Sequence, residues 1–415
     1  MAIVKPFKAL RPKKELADKV AAPPYDVLNS QEAREMAKGN PYTFLHVNKP
    51  EIDLPEEIDL YDDAVYAKGA ENLRNFIKEG VVFQDEAPCF YIYRQIMGDH
   101  EQYGITALAS VDEYEKGLIK KHEFTRPEKE DDRVKHIMAQ NAQVGPVFLT
   151  YPAKPQIDAI VSEIVKEEPE YDFTADDGIR HTVWVVKDTD KITAIQSEFA
   201  RIPALYVADG HHRSAAALRV RNALRDKNPN HTGEEPYNFF LTVIFPDKQM
   251  RILDYNRVVQ DLNGLSKDEF LKTISEKFEV TEAGDNAPYK PQKTHEFGMY
   301  LDGKWYKLEA KSGTFDENDP VKKLDVSILQ ENLLAPVFGI GNPRKDKRID
   351  FIGGIRGLKE LEKRVNSGEW AVAFAMFPTS ISELLAIADA GEVMPPKSTW
   401  FEPKLRSGLM VHLLD

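Results

Sequence analysis

The chain has 415 residues, with 55 Lys plus Arg against 68 Asp plus Glu and a formal net charge of −13. Apolar residues make up 42% and charged residues 30%, which suits a globular protein of two or three folding units and excludes wholesale disorder. So acidic a body is a poor general nucleic-acid binder, since such binding draws its affinity from neutralised phosphates, but it leaves room for a local basic pocket that takes one small phosphate ligand. Its single cysteine, Cys89, excludes a disulfide framework and any multi-cysteine metal site, and suits the cytoplasm. No signal peptide is expected, and no apolar run reaches the roughly 18 residues of a membrane span.

The opening segment is rich in turn signals, with the stiff pair Pro23–Pro24 leading to Tyr25 and Asp26. A short helix is predicted over 30–38 and a longer one over 59–78, where apolar residues recur at helical spacing. "CFYIYRQIM" and "YGITALASV" flank the polar tip "GDHEQ" and predict a hairpin. Pro127 marks a helix start. "PVFLTY", "HTVWVV" and "FFLTVIF" read as strands, with helices near 155–167 and 190–200 between them. Further on come a helix near 266–277, a hairpin tipped by Asp302–Gly303, a polar loop in "AGDNAPYKPQK", a helix near 323–334, the strand "AVAFAMF" and a helix capped by Ser380 or Ser382. The alternation predicts an α/β (mixed α+β) fold, mixed sheets with flanking helices. Two regions are expected, 1–235 and 236–415, the second closing over the site.

The sharpest local feature is "VADGHHRSAAAL", Val207–Leu218, which predicts a strand, a tight turn and a helix without a gap. Gly210 permits the turn, and the free N–H groups of a helix start attract anions. His211, His212 and Arg213 lie on that first turn, and Arg grips phosphate oxygens bidentately. Asp209 is expected either to cap the helix or to help hold magnesium. The bland alternative is an ordinary cap with surface histidines. A second cluster is "KKHEFTRPEK": Glu123 beside His122 is a candidate general base, and Thr125 and Arg126 could orient a substrate. Its alternative is a solvated charged turn, unless it meets the 209–213 turn in space. A third is "MPPKSTWFEPKL", where Lys397, Ser398 and Thr399 echo the end of a phosphate loop without its glycines, and Trp400 and Phe401 suggest a structured loop. Gly353–Gly354 with Arg356, and the pair Asn256–Arg257, are weaker candidates. Motifs of P-loop NTPases, dinucleotide-binding domains, α/β-hydrolases and zinc proteases are absent.

"AAPPYDVL", "HEFTRPEKEDDR", "ADGHHRSAAAL", "NRVV" and "FPTSISELLAIADAGEVMPPKSTWFEPKLRSGL" together resemble a bacterial and archaeal family known as domain of unknown function 1015, over nearly the whole chain. The "DGHHR" turn is also similar to the signature turn of the ParB/sulfiredoxin superfamily, which includes a kinase of free serine. That second resemblance implies a ParB/sulfiredoxin-like core in which Asp209, Gly210, His211, His212 and Arg213 hold the phosphates of ADP or ATP, with Mg2+. A sulfiredoxin would need a cysteine in this turn, and a partition protein a basic DNA-binding face; this chain has neither. The expected function is a cytoplasmic, nucleotide-dependent phosphotransferase acting on a small hydroxy metabolite, serine or phosphoserine foremost. In this reading Glu123 accepts the hydroxyl proton with His122 as neighbour, His212 and Arg213 neutralise charge on the transferred group, and Lys397 and Thr399 close over the donor. The alternatives are a phosphoserine-type phosphomonoester hydrolase and a non-enzymatic nucleotide sensor. Expected partners are a small-molecule substrate, neither nucleic acid nor membrane; a homodimer is compatible with the sequence.

Overall fold

The computed structural model describes residues 2–284 and 288–415. Residues 285–287, within the loop expected from "AGDNAPYKPQK", lie outside the described residues. The chain divides into two units, 1–250 joined by 403–415, and 251–402. The boundary expected after residue 235 falls within the first unit. The strand Phe239–Pro246 lies inside the first unit's sheet, between Val147–Tyr151 and His100–Ser110, so the chain has to complete that strand before leaving.

The first unit is built on a nine-stranded mixed sheet. Its order is Ile119–Lys120, Leu205–Asp209, Val147–Tyr151, Phe239–Pro246, His100–Ser110, Phe90–Met97, Arg180–Val186 and Tyr171–Thr174, with Val4–Lys5 added on His100–Ser110. The expected hairpin is there, Tyr93 opposite Gly104 and Arg94 opposite Tyr103. The central strands Val147–Tyr151 and Phe239–Pro246 are buried along their whole length: Phe90, Ile92, Leu149, Val207, Phe240 and Ile244 form one buried cluster with Phe199 from the helix Thr189–Phe199. Two pairings are parallel, Leu205–Asp209 with Ile119–Lys120, and Phe239–Pro246 with Val147–Tyr151. The first of these positions the site.

The second unit is a six-stranded antiparallel sheet, ordered Phe278–Glu282, Lys304–Ala310, Glu296–Leu301, Val372–Ala375, Tyr255–Val259 and Ile349–Gly353. Asp302 and Gly303 turn its hairpin with φ of 49° and 77°, the left-handed pair a two-residue hairpin loop requires. The helix expected near 323–334 is α-helical only over Asp325–Leu329; Gln330–Leu334 widens into a π-helix, where the Ala335 N–H donates to the Gln330 carbonyl. The α/β (mixed α+β) class expected from the sequence is the observed one.

Candidate functional site

The strand Leu205–Asp209 runs into Gly210 and then the helix His211–Arg225, as expected. Against Val147–Tyr151 its register slips between Val207 and Asp209, a bulge that re-aims the end of the strand. Gly210 sits at φ 100°, ψ 29°, a left-handed position that a side chain would strain. No side chain caps the helix, and the first amide to bond back is Ser214, to the Gly210 carbonyl at 3.0 Å. The N–H groups of His211, His212 and Arg213 thus remain for an outside acceptor, at the positive end of a 15-residue helix.

The strand Ile119–Lys120 lies parallel to this one, Ile119 opposite Leu205 and Lys120 opposite Tyr206. Parallel neighbours end on the same edge, so the 122–126 segment meets the 209–213 turn. The rings of His122 and His211 meet edge-to-face, centroids 4.4 Å apart. Glu123 Oε2 lies 3.9 Å from His211 Nδ1. The Arg126 N–H donates to His212 Nε2 at 3.1 Å. Thr125 Oγ1 donates to Glu130 Oε1, and the Arg126 guanidinium is exposed, 3.8 Å from Glu128. The two segments therefore form one locus.

Charge at this locus is arranged in a chain. Lys404 Nζ bonds Asp209 Oδ2 at 2.8 Å. Arg213 Nη2 stands 3.8 Å from Asp209 Oδ1 and 3.7 Å from Asp26 Oδ2, while Nη1 donates to the Pro146 carbonyl. Although burial pushes the Asp209 carboxyl up, Lys404 and Arg213 outweigh it and hold it well below the usual range. Burial pulls the His122 ring down to about 4, and His211 well below its ordinary value. His212 is lowered by burial and by Arg126. Since the Arg126 amide can only donate, His212 Nε2 is an acceptor, the tautomer of a neutral ring. The neutral ring leaves Nδ1 as its donor, and Arg213 and the helix start are the positive groups beside it.

Asp209 is an ion-pair partner of Lys404. Its Oδ2 is bonded to an ammonium, and among the described residues no group of three or more His, Cys, Asp or Glu side chains could hold a metal ion.

Lys397, Ser398 and Thr399 belong to the second unit. There Lys397 is left-handed at φ 60°, and its carbonyl accepts from Arg257 Nη2 at 3.0 Å. Ser398 Oγ donates to the Pro395 carbonyl at 2.6 Å, so its hydroxyl is spent on its own turn. A Cβ on Gly353 would lie 2.9 Å from the Trp400 ring, and one on Gly354 2.4 Å from Asp254 Oδ1. The glycine pair thus serves packing within that unit. Lys404 escapes sequence reasoning altogether, and for Tyr25 and Asp26 the sequence allows either a pocket lining or a buried turn. Arg133 and Gln140, which line a cavity beside Arg213, also escape it. Their signal is a polar stripe on the helix Pro127–Gln140, where Arg133, His136 and Gln140 are buried at intervals of three and four.

A family model described as "Protein of unknown function (DUF1015)" matches residues 4–327, and the chain belongs to that family. No curated protein sequence matches the chain. Among solved structures, a conserved hypothetical protein from Pyrococcus furiosus is 14% identical with a TM-score of 0.36, covering 75% of this chain and 95% of its own. A free serine kinase in complex with AMP is 13% identical with a TM-score of 0.36, covering 74% and 91%. SbnI with C-terminal truncation from Staphylococcus aureus is 15% identical with a TM-score of 0.37, covering 74% and 87%.

Proposed function

We propose that this protein is a nucleotide-dependent phosphotransferase acting on a small hydroxy metabolite of the serine or phosphoserine kind. The observation that carries the reading is the placement of Glu123 3.9 Å from His211, at a helix start that is uncapped and bears Arg213. The three N–H groups and Arg213 are suited to phosphoryl oxygens, whose charge is what a phosphotransfer site must chiefly manage. The acceptor hydroxyl oxygen attacks the terminal phosphorus of ADP or ATP, and its proton passes to the Glu123 carboxylate. The bond to the bridging oxygen breaks, and AMP or ADP leaves with the electron pair. His212 donates a hydrogen bond, and Thr125 and Arg126 orient the acceptor. Magnesium enters as the counter-ion of the nucleotide and so as part of the substrate. The reading needs no contribution from Lys397, Ser398 or Thr399.

Glu123→Gln tests this. Losing a general base lowers turnover by roughly 10²–10⁴-fold. The same change at a half-exposed side chain leaves the melting temperature within about 2 °C of the parent. Unchanged turnover would overturn the assignment. Release of inorganic phosphate from phosphoserine without nucleotide would point instead to a hydrolase, and nucleotide binding without consumption to a sensor.

A further inference from the structure

A cavity of about 200 Å³ lies in the first unit, away from the turn at Asp209. It sits where the strands His100–Ser110, Val147–Tyr151 and Phe239–Pro246 meet the helix Pro155–Ile164, with Tyr151 and Pro246 side by side on two of those strands. Phe148, on the same strand as Tyr151, pairs with Asp209. Three residues of extended chain, about 10 Å, therefore separate the strand end at the phosphate turn from the strand end at this cavity.

The wall is mostly apolar. Ile105, Val161, Val165 and the rings of Tyr103 and Tyr151 contribute to it, and among the described residues Asp158 is the one charged side chain that lines it. Two polar groups there are unspent. Tyr151 is 1% exposed, yet its hydroxyl makes no hydrogen bond among the described residues. The half-buried Asp158 carboxylate makes none either. A polar group buried without a partner is costly, so a pair of them at one cavity points to a ligand that satisfies them.

Charge and size decide the kind of ligand. Burial raises the Asp158 carboxyl above its ordinary value, against the exposed Lys248 and with Asp247. Asp247 is itself held by the N–H groups of Ala153 and Lys248, at 2.9 and 2.8 Å. Two carboxylates thus face one ammonium, an excess of one negative charge that a monocation would balance. A ligand carrying a carboxylate would be repelled by Asp158. An apolar cavity of about 150 Å³ accepts benzene, so this one has room for a single ring with a short arm. Apolar walls with a few convergent polar groups are the usual form of a small-molecule site.

We infer that this cavity binds a small amine bearing an apolar ring, the ammonium bonded by the Asp158 carboxylate and the Tyr151 hydroxyl, and the ring lying against Ile105, Val161 and Val165. The site stands apart from the proposed phosphotransfer and does not depend on it.

Titration calorimetry on the full chain, without nucleotide and with benzylamine as the probe, tests it. Benzylamine should bind with one site per chain. Benzyl alcohol, which lacks the charge, and methylamine, which lacks the ring, should bind at least about tenfold more weakly. L-Phenylalanine, which adds a carboxylate, should be weaker by a similar factor. Asp158→Asn should cost benzylamine about tenfold or more and leave benzyl alcohol where it was. Since Asp158 has no bond to lose, that variant should melt with the parent. Tyr151→Phe, which removes only an unbonded hydroxyl, should weaken benzylamine in the same direction. Absence of benzylamine binding, benzyl alcohol or L-phenylalanine binding as tightly, or undiminished affinity in Asp158→Asn overturns the inference. None of these results bears on the phosphotransferase, whose nucleotide is absent from the experiment.

Discussion

At the scale of single residues, Asp209 is the hinge of the site's electrostatics. Its carboxylate separates Lys404 from Arg213, and both cations are largely buried, their side chains 18% and 11% exposed. Asp209→Asn would strand them, at a cost of about 2–3 kcal/mol and a fall in melting temperature of roughly 5 °C or more. A melting temperature equal to the parent's would contradict the ion-pair role. The carboxyl is held below its ordinary value, so its contribution is complete above about pH 4 and fades only as the pH falls further. In the sequence, Asp209 to Arg213 stood out because glycine, two histidines and an arginine follow an apolar run directly. Lys404 did not, since 195 positions separate it from Asp209 and nothing local marks a lysine as a partner. The charge state of His212 was equally hidden, because it depends on the Arg126 amide, 86 positions away.

At the scale of elements, the turn depends on Gly210. A Cβ there would lie 3.2 Å from Arg213 Nε and 3.4 Å from Val147 Cα, on a backbone at φ 100°. Gly210→Ala should cost about 1–2 kcal/mol in backbone strain and displace Arg213, so that nucleotide affinity falls more than stability does. Calorimetry beside a thermal melt separates the two, and a variant with parental affinity would remove Arg213 from the phosphate site. Most helices and strands were legible, because their apolar periods and caps are local: Asn29 closes a capping box with Glu32, and Ser380 with Glu383. The parallel pairing of Ile119–Lys120 with Leu205–Tyr206 was not, being a long-range choice between two apolar strands. The charged segment 120–129 allows a solvated turn, yet the helix that it opens, Pro127–Gln140, buries Asp132, Arg133, His136 and Gln140.

At the scale of the whole molecule, the two units should respond to pH in opposite directions. In the first, burial lowers His122 and His412 to about 4 and His181 to about 3. Such rings stay neutral in the fold while the unfolded chain takes up protons below about pH 6.5. Their contribution is complete above that value and is lost as the pH falls toward 4, by up to about 1.4 kcal/mol per unit for each ring. In the second, burial raises the Asp325 carboxyl to about 7, so its contribution is complete below about pH 4 and is lost as the pH rises through 7. Hydrogen exchange at pH 5 and 7.5, corrected for intrinsic rates, should show the first unit losing protection at the lower pH and the amides around Asp325 gaining it. Asp325→Asn should abolish the gain, and movement of both units in the same direction would contradict the account. The division itself was only half legible, because 403–415 returns to the first unit after the second is complete. The central claim is tested most directly by phosphorus NMR of the intact protein with magnesium, L-serine and either ADP or ATP. The account predicts a new phosphomonoester resonance matched by AMP or ADP, and its loss in Glu123→Gln. No new resonance with either nucleotide, or one that persists undiminished in Glu123→Gln, would contradict it.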